Sequence, residues 1–116
     1  RHKEKIVNII NLTPHALNIF TSDKSPVATV APSGQVARAA STRTLTGVRN
    51  GIEFFETVFG APSPLPDAGP DDVFVVSSLY LAALRAAGLD DPRVHVPGEA
   101  VRDADGKVVG CQGLSR

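Results

Sequence analysis

The chain predicts an α/β fold leaning towards α+β: a small mixed β-sheet with several hairpins and one principal helix in a β-α-β unit. Three observations carry this. Between Asp72 and Pro97 an apolar run, Val73-Phe74-Val75-Val76, meets Ser77-Ser78 and then Leu79 to Ala87, which reads as strand, helix cap and helix. The first half is a series of short apolar and β-branched runs parted by Pro, Gly, Asn and Ser. Two of those runs flank Asn50-Gly51, the strongest short-range hairpin signal.

The elements follow in chain order. Ile6, Ile9 and Ile10, then Ala16, Leu17, Ile19 and Phe20, predict two β segments broken at Thr13-Pro14, because proline cannot donate to a central ladder. Ser22 to Pro26 is a turn and Val27 to Val30 a strand. Pro32-Ser33-Gly34 turns again, and Gln35 to Ala39 alternates as a half-buried strand does. Arg43 to Val48 and Ile52 to Phe59 form the Asn50-Gly51 hairpin, expected within the mixed sheet. From Gly60 to Pro70 the prolines at 62, 64, 66 and 70 predict an extended, polyproline-like connector that crosses the sheet, lies along its edge or serves as a lid. After the helix, Gly88 suits the residue past a helix end, Asp90-Asp91-Pro92 turns, and Arg93 to Val96 is a strand parallel to Val73–Val76. Ala100 to Arg102 and Lys107 to Val109 bracket a last hairpin around Asp103-Ala104-Asp105-Gly106.

At 116 residues, 42% hydrophobic and 21% charged, the chain predicts a single globular domain over 1–116. Its formal net charge is zero, so no global field draws it to nucleic acid or to an anionic membrane, and the basic cluster Arg1 to Lys5 is local. The aromatics lie in predicted strands or the helix rather than on a basic face, which argues against a stacking platform for bases. One cysteine, Cys111, cannot form an intramolecular disulfide, no apolar stretch approaches a bilayer span, and no cleavage site follows the basic start. A cytoplasmic location is expected.

The helix is short and apolar on nearly every side except at Tyr80 and Arg85. Its stability must therefore come from packing, against sheet and proline-rich loop or against another subunit. A homodimer or higher homo-oligomer is one expectation.

Four strings carry a resemblance: Asn11-Leu12-Thr13-Pro14-His15; Pro32-Ser33-Gly34-Gln35-Val36-Ala37-Arg38; Val75-Val76-Ser77-Ser78-Leu79; and Val96-Pro97-Gly98-Glu99 with Val101-Arg102-Asp103, ending in Gly110-Cys111. The chain resembles a group of small, largely uncharacterised bacterial and phage-type proteins. That resemblance implies a compact stand-alone domain, leaves the chemistry open, and would suit a protein that sequesters a signal molecule.

Several residues are candidates for chemistry. Thr13-Pro14-His15 sits where a strand is interrupted, a place that can hold an imidazole at a sheet rim, although a capping Thr13 and a satisfied His15 are the plainer reading. Ser33, before Gly34, can present backbone N–H groups to an anion or simply turn the chain. Arg38, on the predicted strand 35–39, is the arginine best placed to meet a carboxylate or phosphate. Ser77 and Ser78 open the helix, whose first N–H groups and dipole favour an anion, though serine also caps helices with nothing bound. Arg102 is a further cation for the same ligand. The serines lack the Gly-x-Ser-x-Gly context of an exposed nucleophile. His2, His15, His95 and Cys111 have no metal-ligand spacing, Asp103 and Asp105 lack the later ligand of a calcium loop, and neither metal nor cofactor is expected.

Three functions follow. The favoured one is a binding module for a small anionic, nucleotide-like molecule, held by Thr13, His15, Ser33, Arg38, Ser77, Ser78 and Arg102. A small hydrolase or lyase with His15 as general acid or base is the second. A self-associating interaction or structural protein is the third.

Overall fold

The computed structural model describes residues 7–116; the predicted strand residue Ile6 and the basic cluster at 1–5 lie outside the described residues. Eight strands and one helix follow in chain order: β1 (Ile9–Asn11), β2 (Leu17–Phe20), β3 (Pro26–Val30), β4 (Ser41–Arg49), β5 (Ile52–Phe59), β6 (Val73–Val75), α1 (Ser78–Ala86), β7 (Val94–Arg102) and β8 (Val108–Ser115). Six strands form one mixed sheet in the order β1-β6-β7-β8-β2-β3, while among the described residues β4 and β5 pair only with each other. The described residues are thus sheet-dominated, with a single helix among them.

Parallel pairing of β6 with β7 across α1 builds the expected β-α-β unit, and β1 adds parallel to the other side of β6. The last hairpin closes as predicted, with Asp103 N donating to Lys107 O at 2.9 Å and Gly106 N to Asp103 O at 3.0 Å. Its first strand is longer than expected, because β7 runs unbroken through Pro97-Gly98. At Gly98 the backbone of β8 passes so close that a Cβ would overlap the Gln112 carbonyl oxygen.

The sheet curls until its two edge strands meet. Asn11, at the end of β1 and 1% exposed, donates from Nδ2 to Val30 O of β3 at 3.2 Å. The concave side encloses Leu17, Ile19, Val75 and Cys111, with Ile9, Val30, Val73 and Leu114 around them. Cys111 is therefore a small core residue. On the opposite side α1 packs Tyr80, Leu81 and Leu84 onto Phe74, Val76, Val94 and Leu12.

Helix α1 begins and ends on local signals. Ser77 is its N-cap, with extended backbone and a side chain that accepts from Tyr80 N at 3.2 Å. At the other end Gly88, with φ +72°, donates to Arg85 O at 3.2 Å, and Leu89 N donates to Leu84 O at 2.8 Å. Both bonds belong to a Schellman closure, which needs the left-handed glycine. The proline-rich segment packs beside the buried face of the helix: Leu65 and Ala68 lie on the same core, and the Tyr80 hydroxyl donates to Ser63 O. Arg93 clamps the far end of that segment, donating to Ala68 O and Gly69 O while its Nε and Nη2 bind the Asp91 carboxylate.

Two expectations need correction. Gln35–Ala39 is not a strand, because its backbone groups bond to loops: Ala37 N donates to Leu12 O at 3.0 Å, and Arg38 exchanges bonds with Ser63. Alternation alone cannot supply a neighbouring strand. The Asn50-Gly51 hairpin forms, with left-handed φ of 53° and 75° at its turn, yet it stands apart from the mixed sheet as an arm. A chain of this length folded into a compact ball would have a radius of gyration of about 13 Å. The observed value is 17.1 Å, along a longest axis of 59 Å.

Candidate functional site

The site is built where two adjacent parallel strands, β1 and β6, reach their carboxyl ends. Beyond β1, Asn11 organises the exit: its Oδ1 accepts from Thr13 N at 3.0 Å and Thr13 Oγ1 at 2.6 Å, and its Nδ2 donates to His15 O at 2.8 Å. This asparagine turn directs Thr13-Pro14 out over the end of the sheet. Beyond β6, Val76 leads into Ser77 and α1.

The third wall is the segment 36–39. Its position is set by Ser63, whose Oγ accepts from Arg38 N at 2.9 Å and whose N–H donates to Arg38 O at 2.8 Å. The Arg38 backbone is thus held on both sides while its side chain stays exposed. No carboxylate among the described residues forms an ion pair with its guanidinium.

Together these segments enclose a concavity of about 240 Å³, floored by buried Leu12 and rimmed by Thr13, Pro14, Arg38, Ser77 and Leu79. At the start of α1, Ser77 takes the Tyr80 N–H on its side chain and the Leu81 N–H on its carbonyl, the Ser78 and Leu79 N–H groups precede the first intrahelical bond, and the first turn carries no acidic residue. Ser77 accepts a bond as the cap and keeps its hydroxyl proton to donate. The positive dipole end, the Arg38 guanidinium and the Ser77 hydroxyl donor therefore share one small space, while Thr13, whose hydroxyl proton goes to Asn11, forms part of its rim.

Of the seven residues singled out from the sequence, Thr13, Arg38 and Ser77 meet here. The others lie elsewhere. Ser78, one residue further on, lines a separate concavity with Arg85 and Arg116. His15 lines another, with Pro97 and the start of β8. Ser33 donates its N–H to Asn11 O at 2.9 Å, so the turn's backbone is spent on the fold. Arg102 donates to Gly106 O at 2.8 Å, within its own hairpin.

Asn11 and Ser63 are the positions that sequence reasoning passed over. Asn11 ends an apolar run just before Thr-Pro, a signal for a side chain that must satisfy an interrupted strand. Ser63 carries no local signal. Among the described residues no three His, Cys, Asp or Glu side chains gather as a metal would require, and no helix is long and apolar enough to cross a membrane. Compared with protein-family models, with curated proteins and with solved structures, the chain finds no match.

Proposed function

We propose that this protein is a binding module for small anionic, nucleotide-like ligands, and that it seats their phosphate or carboxylate group at the start of α1. The observation that supports the reading is the convergence of Thr13, Arg38 and Ser77 in one concavity at the N-terminus of α1. Its volume, about 240 Å³, is below the roughly 300 Å³ at which pockets begin to enclose a whole drug-sized molecule. A nucleotide would thus place one phosphate inside, with its sugar and base across Leu79 and Pro14. His15 faces a different concavity from Arg38 and Ser77, which disfavours the hydrolase or lyase reading. A cytoplasmic location belongs with this proposal, since the single cysteine is a buried thiol with no disulfide.

Calorimetry with inorganic phosphate and a panel of nucleoside mono- and diphosphates tests it. Charge-assisted contacts contribute about 1.5–3 kcal/mol each, so Arg38→Ala should weaken binding by about tenfold or more. Ser78→Ala, on the other side of the helix start, should leave it unchanged. If no anion binds the wild type, or if Arg38→Ala binds as well, the reading is wrong.

A further inference from the structure

The hairpin β4–β5 is the part of the molecule that its own fold does not use. Apart from the half-buried Phe59, every residue from Ser41 to Phe59 is exposed, including Leu45, Val48, Ile52, Phe54, Phe55 and Val58 at 44–61%. The register places these on both faces: Leu45 opposite Phe55 and Val48 opposite Glu53 on one, Ile52 and Phe54 on the other. Arg43 lies over the Phe55 ring at 4.0 Å and Arg49 over Phe54 at 5.5 Å, which shields the rings only in part. An isolated two-stranded ribbon is marginal in water, and no strand among the described residues pairs with either outer edge of this one. It needs a cover.

We infer that the cover is a second copy of this chain, with the two arms packed antiparallel so that the tip of each lies against the root of the other. Three observations select this occupant. The first is area. Six half-exposed apolar side chains, three on each face, put on the order of 250 Å² per face into water. One face is about half of the apolar area within the roughly 800 Å² per partner of a homodimer interface, and the hollow at the arm's root adds to it. The second is charge: the arm carries Arg43 and Arg49 against Glu53 and Glu56, and the whole chain is neutral, so two copies meet without repulsion, whereas a polyanion or polycation finds no complement.

The third is shape. At the arm's root a groove of about 470 Å³ opens between β5 and the C-terminal half of α1, floored by the small residues Gly60, Ala61, Ala83, Ala86 and Ala87. The chain therefore carries both a protruding apolar tip, Val48 and Ile52, and a hollow of small residues one arm's length away. A two-fold axis between antiparallel arms brings tip and hollow together twice, which is the self-complementarity an isologous interface requires.

Light scattering coupled to size exclusion tests this on the full chain at tens of micromolar. A dimer is expected, or an even-numbered assembly built from it. Ile52→Glu at the tip and Ala86→Glu in the hollow should each weaken association by about tenfold or more while circular dichroism shows the fold retained, both positions being exposed. The pair Ile52→Lys with Ala86→Glu should recover part of the loss, because the two positions face each other across the interface. Amide exchange in β4 and β5 should slow as concentration rises. A monomeric wild type, or an assembly indifferent to Ile52→Glu, overturns the proposal; a double variant no better than its singles overturns the tip-to-root arrangement. Anion binding is read separately, so either proposal can fail without the other.

Discussion

Leu79→Glu separates the ligand-binding role of the helix start from its structural role, because the two respond differently to a negative charge. Leu79 is the second residue of α1 and is 44% exposed at the rim of the Arg38 concavity. Full burial of a leucine contributes about 1.5–3 kcal/mol, so losing this half-buried one costs about 1 kcal/mol. Against that, a carboxylate in a first turn that has none gains about 0.3–1 kcal/mol from the helix dipole. Folding stability should therefore change by less than about 1 kcal/mol, a shift of about 5 °C or less in Tm for a domain of this size. Binding has no such compensation. The carboxylate competes with the ligand for the first-turn amides and for Arg38, and displacing the ligand from one charge-assisted hydrogen bond costs about 1.5–3 kcal/mol, which is about 10- to 150-fold in affinity. Thermal denaturation measures the first quantity and calorimetry with inorganic phosphate the second, with Leu79→Gln as the uncharged control. Undiminished phosphate binding by a folded Leu79→Glu protein would refute the reasoning, as would an equal loss in Leu79→Gln, which would show that charge is not the cause.

Three further outcomes are expected. Tyr80→Phe leaves the Ser63 carbonyl without its hydroxyl donor and should cost about 1–3 kcal/mol in urea denaturation. Burial raises the Tyr80 phenol above its ordinary 10.0; the folded chain then holds this proton more tightly than the unfolded one, and stability falls as pH rises past 10.0, a step that Tyr80→Phe should lack. Hydrogen bonds from Arg93 hold the Asp91 carboxyl below its ordinary 3.8, so its contribution is complete above that pH and is lost as pH falls through the lower folded value; Asp91→Asn should flatten this acid limb in denaturation curves taken from pH 6 downward. Gly98→Ala forces a methyl group onto the Gln112 carbonyl, a backbone atom that cannot swing aside, and should cost about 3 kcal/mol by the same measurement.

What was legible in the chain was local. The Ser77 cap, the Gly88 closure, the Asn50-Gly51 turn and the strand–helix–strand run each depend on a few neighbouring residues whose backbone preferences act over one turn. Arg38 and Ser77 could be singled out for the same reason, since the chemistry of a guanidinium and of a helix start is intrinsic to them.

Tertiary structure decided the rest. Whether 35–39 pairs as a strand depends on which backbone lies beside it, and there it is Ser63 and Leu12 rather than a strand edge. Whether the Asn50-Gly51 hairpin joins the sheet or projects as an arm depends on which edges are already filled, a property of the whole topology. That Ser77 lines the Arg38 concavity while Ser78 lines that of Arg85 follows from the change from extended N-cap to helical backbone between them, and is fixed only once Tyr80 and Leu84 have docked on the sheet. The backbone preferences of this chain are written residue by residue. Which of its surfaces meet is set by long-range burial, through packing among residues far apart in the chain that no short window contains.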